Sequence, residues 1–204
     1  MRRFSLFALA LLTAAPAMAV NFSEKDTLVN TRYRETDAEK AARIFEEQQT
    51  ELPPLPDTAQ GNWLEVYVGE DYGKTALILT DSIRVMPSPD SSIRYVLNVR
   101  SSQGYDNLTA EGLFCAKSSF QFGGDKRSSY KIFGFGDTAN KRWIQPRNNE
   151  WKLIGSALSR NDRLHGAIYE VLCSDGAPAD VATVIDRLQQ RAGRYAPSMI
   201  RSDK

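Results

Sequence analysis

The residues of this chain whose types could do chemistry are two cysteines and one histidine, Cys115, Cys173 and His165. Nucleophilic catalysis by a cysteine needs a thiolate and a base within hydrogen-bond reach. Cys173 follows His165 by eight residues, about 12 Å along a helix axis, so these two side chains cannot form a catalytic pair. The spacing leaves two alternatives open, which are a catalytic pair of His165 with Cys115 and a disulfide bond between the cysteines.

The first 19 residues have the three parts of an export signal. Two arginines near the start are followed by an apolar run over residues 4–12 and by a small-x-small site at residues 17–19. We therefore expect a signal peptide that is cleaved after Ala19. The run is far shorter than the roughly 20 apolar residues of a membrane helix, and no cysteine lies at the cleavage site, so we expect neither a transmembrane segment nor a lipid anchor.

An oxidising location decides between the two readings of the cysteines. After export to the periplasm or the medium, two cysteines most simply form one disulfide bond. A bond between Cys115 and Cys173 closes a loop of about 58 residues, for which loop entropy predicts a stabilisation of roughly 4 kcal/mol. A catalytic pair of Cys115 with His165 would leave Cys173 unpaired in that compartment. We therefore favour the disulfide and predict no catalytic residue.

Composition argues against several classes of protein. Removal of the leader takes two basic residues and no acidic ones, so 26 Lys and Arg become 24 against 25 Asp and Glu. This balance gives no overall field for nucleic acid, and we expect no nucleic-acid partner. One histidine without a second one at ligand spacing predicts no metal site. No nucleotide-binding loop, nucleophile elbow or CxxC motif is present in the sequence, so we predict no cofactor.

The segment over residues 20–60 is predicted to be an N-terminal arm. Its first part is a polar tether, and Thr36 with Glu39 forms a capping box that starts a weakly amphipathic helix over residues 36–52. Prolines from Pro53 onward stop this helix and form a linker. The narrow apolar stripe favours a surface segment that packs loosely on the body, and an arm that docks on a partner is the alternative.

Alternation of apolar and polar residues begins at Trp63 and continues to about Ile154. Short strands joined by short turns indicate an antiparallel meander. Gly134 and Gly136 predict a bend or bulge within one strand. The predicted strands are WLEVYV (63–68), SIRVM (82–86), IRYVLNVRS (93–101), TAEGLFCAKS (109–118), SYKIFGFGD (129–137) and WKLIGSAL (151–158).

Two amphipathic helices are predicted after the strands. Asn161 is the expected cap of the first helix, which ends at Cys173, and the second helix ends at Gly193. The fold class is therefore α+β, an antiparallel β-meander sheet packed by C-terminal helices, with an N-terminal helical arm. The globular domain is expected over residues 61–193, followed by a flexible tail over residues 194–204. The apolar stripe of the first helix comprises Leu164, Ala167, Ile168, Val171 and Leu172.

An ordered set of motifs resembles the CNP-one-like family of small exported bacterial proteins. The family pattern has a Ser-x-x-Gly-x-x-Asn segment leading into Glu-Gly-x-x-Cys, and later an Asn-x-x-x-His segment before a second cysteine. The resemblance covers roughly residues 60–175 and implies a shared exported fold with the same cysteine pair, without a catalytic assignment. The matching residues are Ser101 or Ser102, Gly104, Asn107, Glu111, Gly112, Cys115, Asn161, His165 and Cys173.

The candidate polar cluster consists of Arg100, Asn107, Glu111 and His165. Arg100 and Glu111 lie on neighbouring predicted strands, where we favour an ion pair on the sheet, and a polar cleft shared with Asn107 is the alternative. For His165 we favour an imidazole that is hydrogen-bonded at the edge of the helix–sheet interface over a general base.

A set of aromatic residues could form a stacking surface for sugars or nucleic acid, but their alternate strand positions favour a place in the core. The set comprises Phe120, Phe122, Tyr130, Phe133, Phe135, Trp143 and Trp151.

The sequence thus favours a periplasmic or secreted, non-enzymatic binding or structural module of the cell envelope, with another envelope protein or a glycan as partner. The alternative is a hydrolase or glycan-acting enzyme that uses Glu111 with Arg100 and His165. An enzyme should have a deep cleft in which Glu111 faces a second titratable side chain.

Overall fold

The computed structural model describes residues 45–116, 127–154 and 162–193. Within these residues the strands form one antiparallel sheet in the order β1-β2-β3-β4-β5-β6, and β7 pairs with β5. Two helices follow the strands, so the predicted α+β meander is confirmed. The strands are β1 (Trp63–Val66), β2 (Thr75–Val85), β3 (Ile93–Arg100), β4 (Leu108–Phe114), β5 (Ser129–Asp137), β6 (Arg142–Ile144) and β7 (Lys152–Leu153). The helices are α1 (Arg163–Cys173) and α2 (Val181–Arg191), and a short 3-10 helix spans Glu70–Tyr72.

Strand β3 is one of the two middle strands of the sheet, and its residues from Ile93 to Asn98 are all buried. Ile93, Tyr95 and Leu97 face the main apolar core with the helices, as the alternation in the sequence predicts. Val96 points to the other face, where it belongs to a second, smaller apolar cluster. The sheet therefore has an inner face under the helices and an outer face that is also covered.

Strand β2 differs from the sequence prediction because it begins at Thr75 and not at Ser82. Its first half is a nearly continuous apolar run, which lacks the alternation that marks a half-buried strand. The pairing of β2 with β3 is irregular between Leu79 and Arg84. There the Val96 amide donates to Ser82 Oγ at 2.8 Å, which replaces a missing ladder hydrogen bond.

Helices α1 and α2 bury their apolar stripes against the inner face, as predicted. Asn161 lies outside the described residues, and the residue that precedes the first turn of α1 is Asp162. Helix α2 has a side-chain cap, because Asp180 Oδ1 accepts a hydrogen bond from the Thr183 amide at 2.7 Å. The buried residues of the two stripes are Ile168, Val171, Leu172, Val184 and Leu188.

The outer face is covered by residues 45–55, which we call the strap. The start of the predicted N-terminal helix, residues 36–44, lies outside the described residues, and the helix does not continue through residues 45–52, which have no regular secondary structure. Contacts with the sheet outweigh local helix propensity there. Trp143 Nε1, for example, donates to the Pro53 carbonyl oxygen at 2.6 Å.

Two glycines of β5 allow the strap to approach the sheet closely. A Cβ atom on Gly134 would lie 2.9 Å from Leu52 Cδ1, and one on Gly136 would lie 2.9 Å from Leu55 Cδ1. The pairing of β4 with β5 also shifts at this point, since Glu111 is paired with Ile132 and Ala110 with Gly134. The predicted irregularity at these glycines therefore coincides with a β-bulge, and the strap packs beside it.

Candidate functional site

A buried histidine bridges α1 and the sheet. His165 Nε2 lies 3.0 Å from Glu111 Oε2, and His165 Nδ1 lies 3.0 Å from Asp162 Oδ1. The ring stacks on Tyr130 with 3.4 Å between the ring centroids. His165 is 9% exposed and Glu111 is 3% exposed, so the network is almost closed to water.

The secondary structure explains how this network forms. Glu111 lies on β4 directly opposite Tyr95 of β3, so both side chains point to the inner face. Thr109 Oγ1 donates to Glu111 Oε1 at 2.7 Å, and the Tyr95 hydroxyl donates to Glu111 Oε2 at 3.4 Å. Asp162 and His165 are three residues apart at the start of α1, which places them side by side.

The two carboxylates favour the charged form of the histidine. Burial would lower the pKa of His165, but hydrogen bonds and charge attraction from Glu111 and Asp162 outweigh burial and raise it. Burial, together with the charge of Glu111, raises the pKa of Tyr95 well above its usual value. Each ring nitrogen of His165 is therefore engaged by a carboxyl group, and this arrangement favours the charged form of the ring.

Arg100 does not join this network, so the predicted ion pair of Arg100 with Glu111 is wrong. Arg100 Nε instead pairs with Asp106 Oδ1 at 2.7 Å. The strand register explains the difference. Glu111 lies opposite Tyr95, and Tyr95 precedes Arg100 on β3 by five residues. The turn between β3 and β4 brings Asp106 to Arg100, and Asn98 Nδ2 donates to the same oxygen at 2.7 Å.

Asn107 also lies apart from Glu111 and His165. Its Nδ2 atom donates to the Val99 carbonyl oxygen at 3.0 Å and to the Tyr105 carbonyl oxygen at 3.4 Å. These contacts stabilise the turn between β3 and β4. Of the four residues of the predicted polar cluster, the structure therefore brings together only Glu111 and His165.

The structure places the two cysteines at disulfide-bonding distance. The sulfur atoms of Cys115 and Cys173 are 2.05 Å apart, and the Cα atoms are 5.4 Å apart. This Cα separation lies within the usual range of roughly 4.4–6.8 Å for a disulfide. Cys115 directly follows β4 and Cys173 is the last residue of α1, so the bond joins helix and sheet. With its sulfur bonded, Cys115 is not available as a nucleophile for His165.

The aromatic residues do not form one surface. Phe120 and Phe122 lie outside the described residues, and Tyr130 stacks on His165 in the inner network. On the outer face, Trp151 Nε1 donates to Glu47 Oε2 of the strap at 2.7 Å. Phe135 is 43% exposed and is thus neither in the core nor in the group around the strap. The prediction that these aromatic residues lie in the core is therefore only partly confirmed.

A cavity of about 280 Å³ lies between the strap and the outer face of the sheet. Strap residues 47–53 form one wall, and the rest is formed mainly by residues of β2, β3, β4 and β5 and of the loop after β6. Glu111 is among the lining residues, whereas His165 is not. The lining includes Glu51, Arg84, Arg94, Phe133, Gln145 and Asn149.

Asp90 is the first of two carboxylates that connect the strap to the sheet. Asp90 is fully buried, and its Oδ2 atom accepts from Arg94 Nη2 and from the Gln48 amide, each at 2.7 Å. Burial would raise the pKa of Asp90, but hydrogen bonds from Ser92 and Gln48 and the charge of Arg94 outweigh it and lower the pKa. The Arg94 guanidinium also lies 4.0 Å from the centre of the Phe133 ring, which is cation–π geometry.

Glu47 of the strap is the second carboxylate. Its two oxygens lie 2.7 and 2.8 Å from Lys131 Nζ on β5. Sequence reasoning identified neither Glu47 nor Asp90 as a site residue. A signal existed only for Arg94, which is a charged residue between the apolar Ile93 and the aromatic Tyr95 at the start of a central strand.

No group of His, Cys, Asp and Glu side chains in residues 45–116, 127–154 and 162–193 could hold a metal ion. Over the same ranges, no helix combines the length and the apolar character that crossing a membrane would require.

The fold and the site define an α+β domain in which a meandering antiparallel sheet has two helices on one face and an extended strap on the other. The chain belongs to the CNP1-like family, whose pattern matches residues 40–189. The resemblance seen in the motifs is thereby confirmed, and the family match includes the strap. The chain is also 58% identical to Cryptic neisserial protein 1 of Neisseria gonorrhoeae (strain ATCC 700825 / FA 1090) over 204 residues, with 100% of both chains covered. No solved structure matches the chain.

Proposed function

We propose that this protein is an extracytoplasmic, non-enzymatic binding module whose ligand site is the cavity under the strap. The observation that carries the proposal is the cavity of about 280 Å³, which has charged and amide side chains on its walls. Small-molecule sites are concave, have a few placed polar groups and usually measure roughly 300–1,000 Å³. The cavity is just below the lower end of this range, so the proposed ligand is small.

The geometry of Glu111 and His165 argues against the enzyme alternative. Glu111 does face a second titratable side chain, as an enzyme would require, but its carboxyl group points to the inner face toward His165, although the residue is among those that line the cavity. A general acid or base must also reach the substrate at hydrogen-bond distance. The side chains of His165 and Glu111 are only 11% and 2% exposed, and both ring nitrogens of His165 bind carboxylates. The role we assign to this pair is to fix α1 on the sheet.

The leader and the cysteine pair support the proposed location. We propose cleavage after Ala19 and a periplasmic or secreted mature protein without a lipid anchor, in which residues 61–193 and the strap act together. A disulfide forms and persists in such oxidising compartments. The proposed partners are components of the cell envelope, either protein segments or glycans, and not nucleic acid.

The test uses mature protein from a periplasmic fraction, whose intact mass should lack residues 1–19. The protein is incubated with a low-molecular-mass extract of bacterial envelope and analysed by native mass spectrometry. The variant Gln145→Trp fills the cavity from an exposed position, and Gln189→Trp makes the same change on α2. We expect bound mass with the wild type and Gln189→Trp, and none with Gln145→Trp.

Two outcomes would overturn the proposal. Equal capture by Gln145→Trp and the wild type would place the ligand elsewhere. Turnover of extract components that disappears in Glu111→Gln would support the enzyme alternative.

A further inference from the structure

Apart from Glu111, which pairs with His165, the charges around the cavity fall into two groups, and the first group is fully paired. Arg94 forms its ion pair with Asp90, and Lys131 forms its ion pair with Glu47, in both cases with 2.7 Å between nitrogen and oxygen. These four residues hold the strap against the sheet, so a ligand does not need to neutralise them.

The second group consists of one cation and one anion. Arg84 lies on β2 and Glu51 lies on the strap, so the cavity has one of them on each wall. Both side chains are exposed. Neither forms an ion pair or hydrogen bond with another residue in the described part of the chain, and they do not pair with each other.

Uncharged amides complete the lining. Gln145 and Asn149 line the cavity from the loop after β6, and Gln48 and Gln49 line it from the strap. A side-chain amide both donates and accepts hydrogen bonds, which matches the groups of a peptide bond. Aromatic stacking is less available, because the Arg94 guanidinium already lies over the Phe133 ring at 4.0 Å.

We propose that the cavity binds a small zwitterion, namely an α-amino acid or a short peptide with both ends free. The ligand carboxylate pairs with Arg84, the ligand ammonium pairs with Glu51, and the amides bind the groups between them. A ligand with a single negative charge would meet the repulsion of Glu51, and a ligand with a single positive charge would meet that of Arg84. This inference rests on the proposed function, because it names the ligand of the same cavity.

The test measures binding of defined probes to the full mature chain at pH 7 by titration calorimetry. The probes are L-alanyl-L-alanine, its N-acetyl form and its C-terminal amide. We expect each capped form to bind at least about tenfold more weakly than the free dipeptide, which corresponds to about 1.4 kcal/mol. Higher salt should weaken the free dipeptide, because both contacts are exposed.

Variants of the two charged residues then show which end of the dipeptide each residue binds. Arg84→Gln and Glu51→Gln should each weaken binding of the free dipeptide about tenfold. Glu51→Gln should not weaken the N-acetyl form, which has no ammonium group. The matched controls Arg163→Gln and Glu170→Gln make the same changes on α1 and should leave the affinity unchanged.

The outcomes separate this inference from the proposed function. The zwitterion inference is wrong if the capped and free dipeptides bind equally well, or if only an uncharged or acidic sugar binds. If Gln145→Trp abolishes the binding that is observed, the cavity remains the ligand site. If the dipeptide and all components of the envelope extract fail to bind in the cavity, both proposals are wrong.

Discussion

At the scale of residues, the buried charged side chains of this protein occur in small groups in which opposite charges are paired. The charged residues buried in the described structure each lie within ion-pair distance of an opposite charge. This arrangement is expected, because an unpaired buried charge costs several kcal/mol. The residues are Asp90, Arg94, Glu111, Lys131 and His165.

The charge of His165 makes the stability of the protein depend on pH. Its pKa is raised in the folded state, so its ion-pair contribution is fully present below the usual value of about 6.5 and is lost as the pH rises through the raised pKa. We expect His165→Gln to lower the free energy of unfolding by about 3 kcal/mol at pH 6, because it leaves Glu111 buried without its partner. The loss should be smaller at pH 9.

Urea unfolding between pH 5.5 and 9 measures this difference. Glu170→Gln, on the exposed side of the same helix, is the control and should follow the wild type at every pH. An identical pH dependence in the wild type and His165→Gln would show that the imidazole does not carry the charge.

At the scale of elements, local patterns predicted α1, α2 and most strands, and they failed where long-range contacts decide the structure. The capping box at Thr36 predicts a helix through Leu52, but residues 45–52 follow the outer face of the sheet without regular structure. The ion pair that joins Glu47 to Lys131 spans 84 residues of sequence. A local pattern of apolar and polar residues cannot indicate a contact between residues so far apart in sequence.

The contact of the strap with β5 can be tested at Gly134. In Gly134→Ala the new Cβ would lie 2.9 Å from Leu52 Cδ1 and 3.3 Å from Trp143 Cε3, so we expect a loss of about 1–2 kcal/mol in unfolding free energy. The double variant with Leu52→Ala should lose less than the sum of the two single variants, because one clash is removed.

Gly193→Ala is the control, since nothing lies within 4 Å of its Cβ position. Chemical denaturation of the wild type, the two single variants and the double variant gives the coupling free energy between Gly134 and Leu52. Strict additivity of Gly134→Ala and Leu52→Ala would mean that the strap does not touch β5 in solution.

At the scale of the whole molecule, the sequence predicted the cysteine pair because compartment and cysteine number restrict the choice. The partnership of Glu111 with His165 was not predictable in the same way. The two residues are 54 positions apart, and their contact depends on how α1 crosses the sheet. The cavity also escaped prediction, because it exists only where the strap folds back over β2 to β5.

The disulfide should contribute strongly to the stability of the whole domain. Joining Cys115 to Cys173, which are 58 residues apart, removes loop entropy from the unfolded chain worth roughly 4 kcal/mol. This is a large part of a typical stability of about 5–15 kcal/mol. We expect Cys115→Ala and Cys173→Ala to lower the free energy of unfolding by similar amounts, and the double variant to lose hardly more, because each change breaks the same bond.

Denaturation with and without a reductant provides the internal control. Reduction should lower the stability of the wild type to about that of the double variant, and it should leave the double variant unchanged because that protein has no bond to break. Two free thiols in wild-type protein purified from an oxidising compartment, or losses that add up in the double variant, would contradict the bond. A free Cys115 would restore the catalytic pair with His165 as an alternative. In that case Cys115 would have to react with alkylating reagents in the folded protein, although the residue is only 2% exposed.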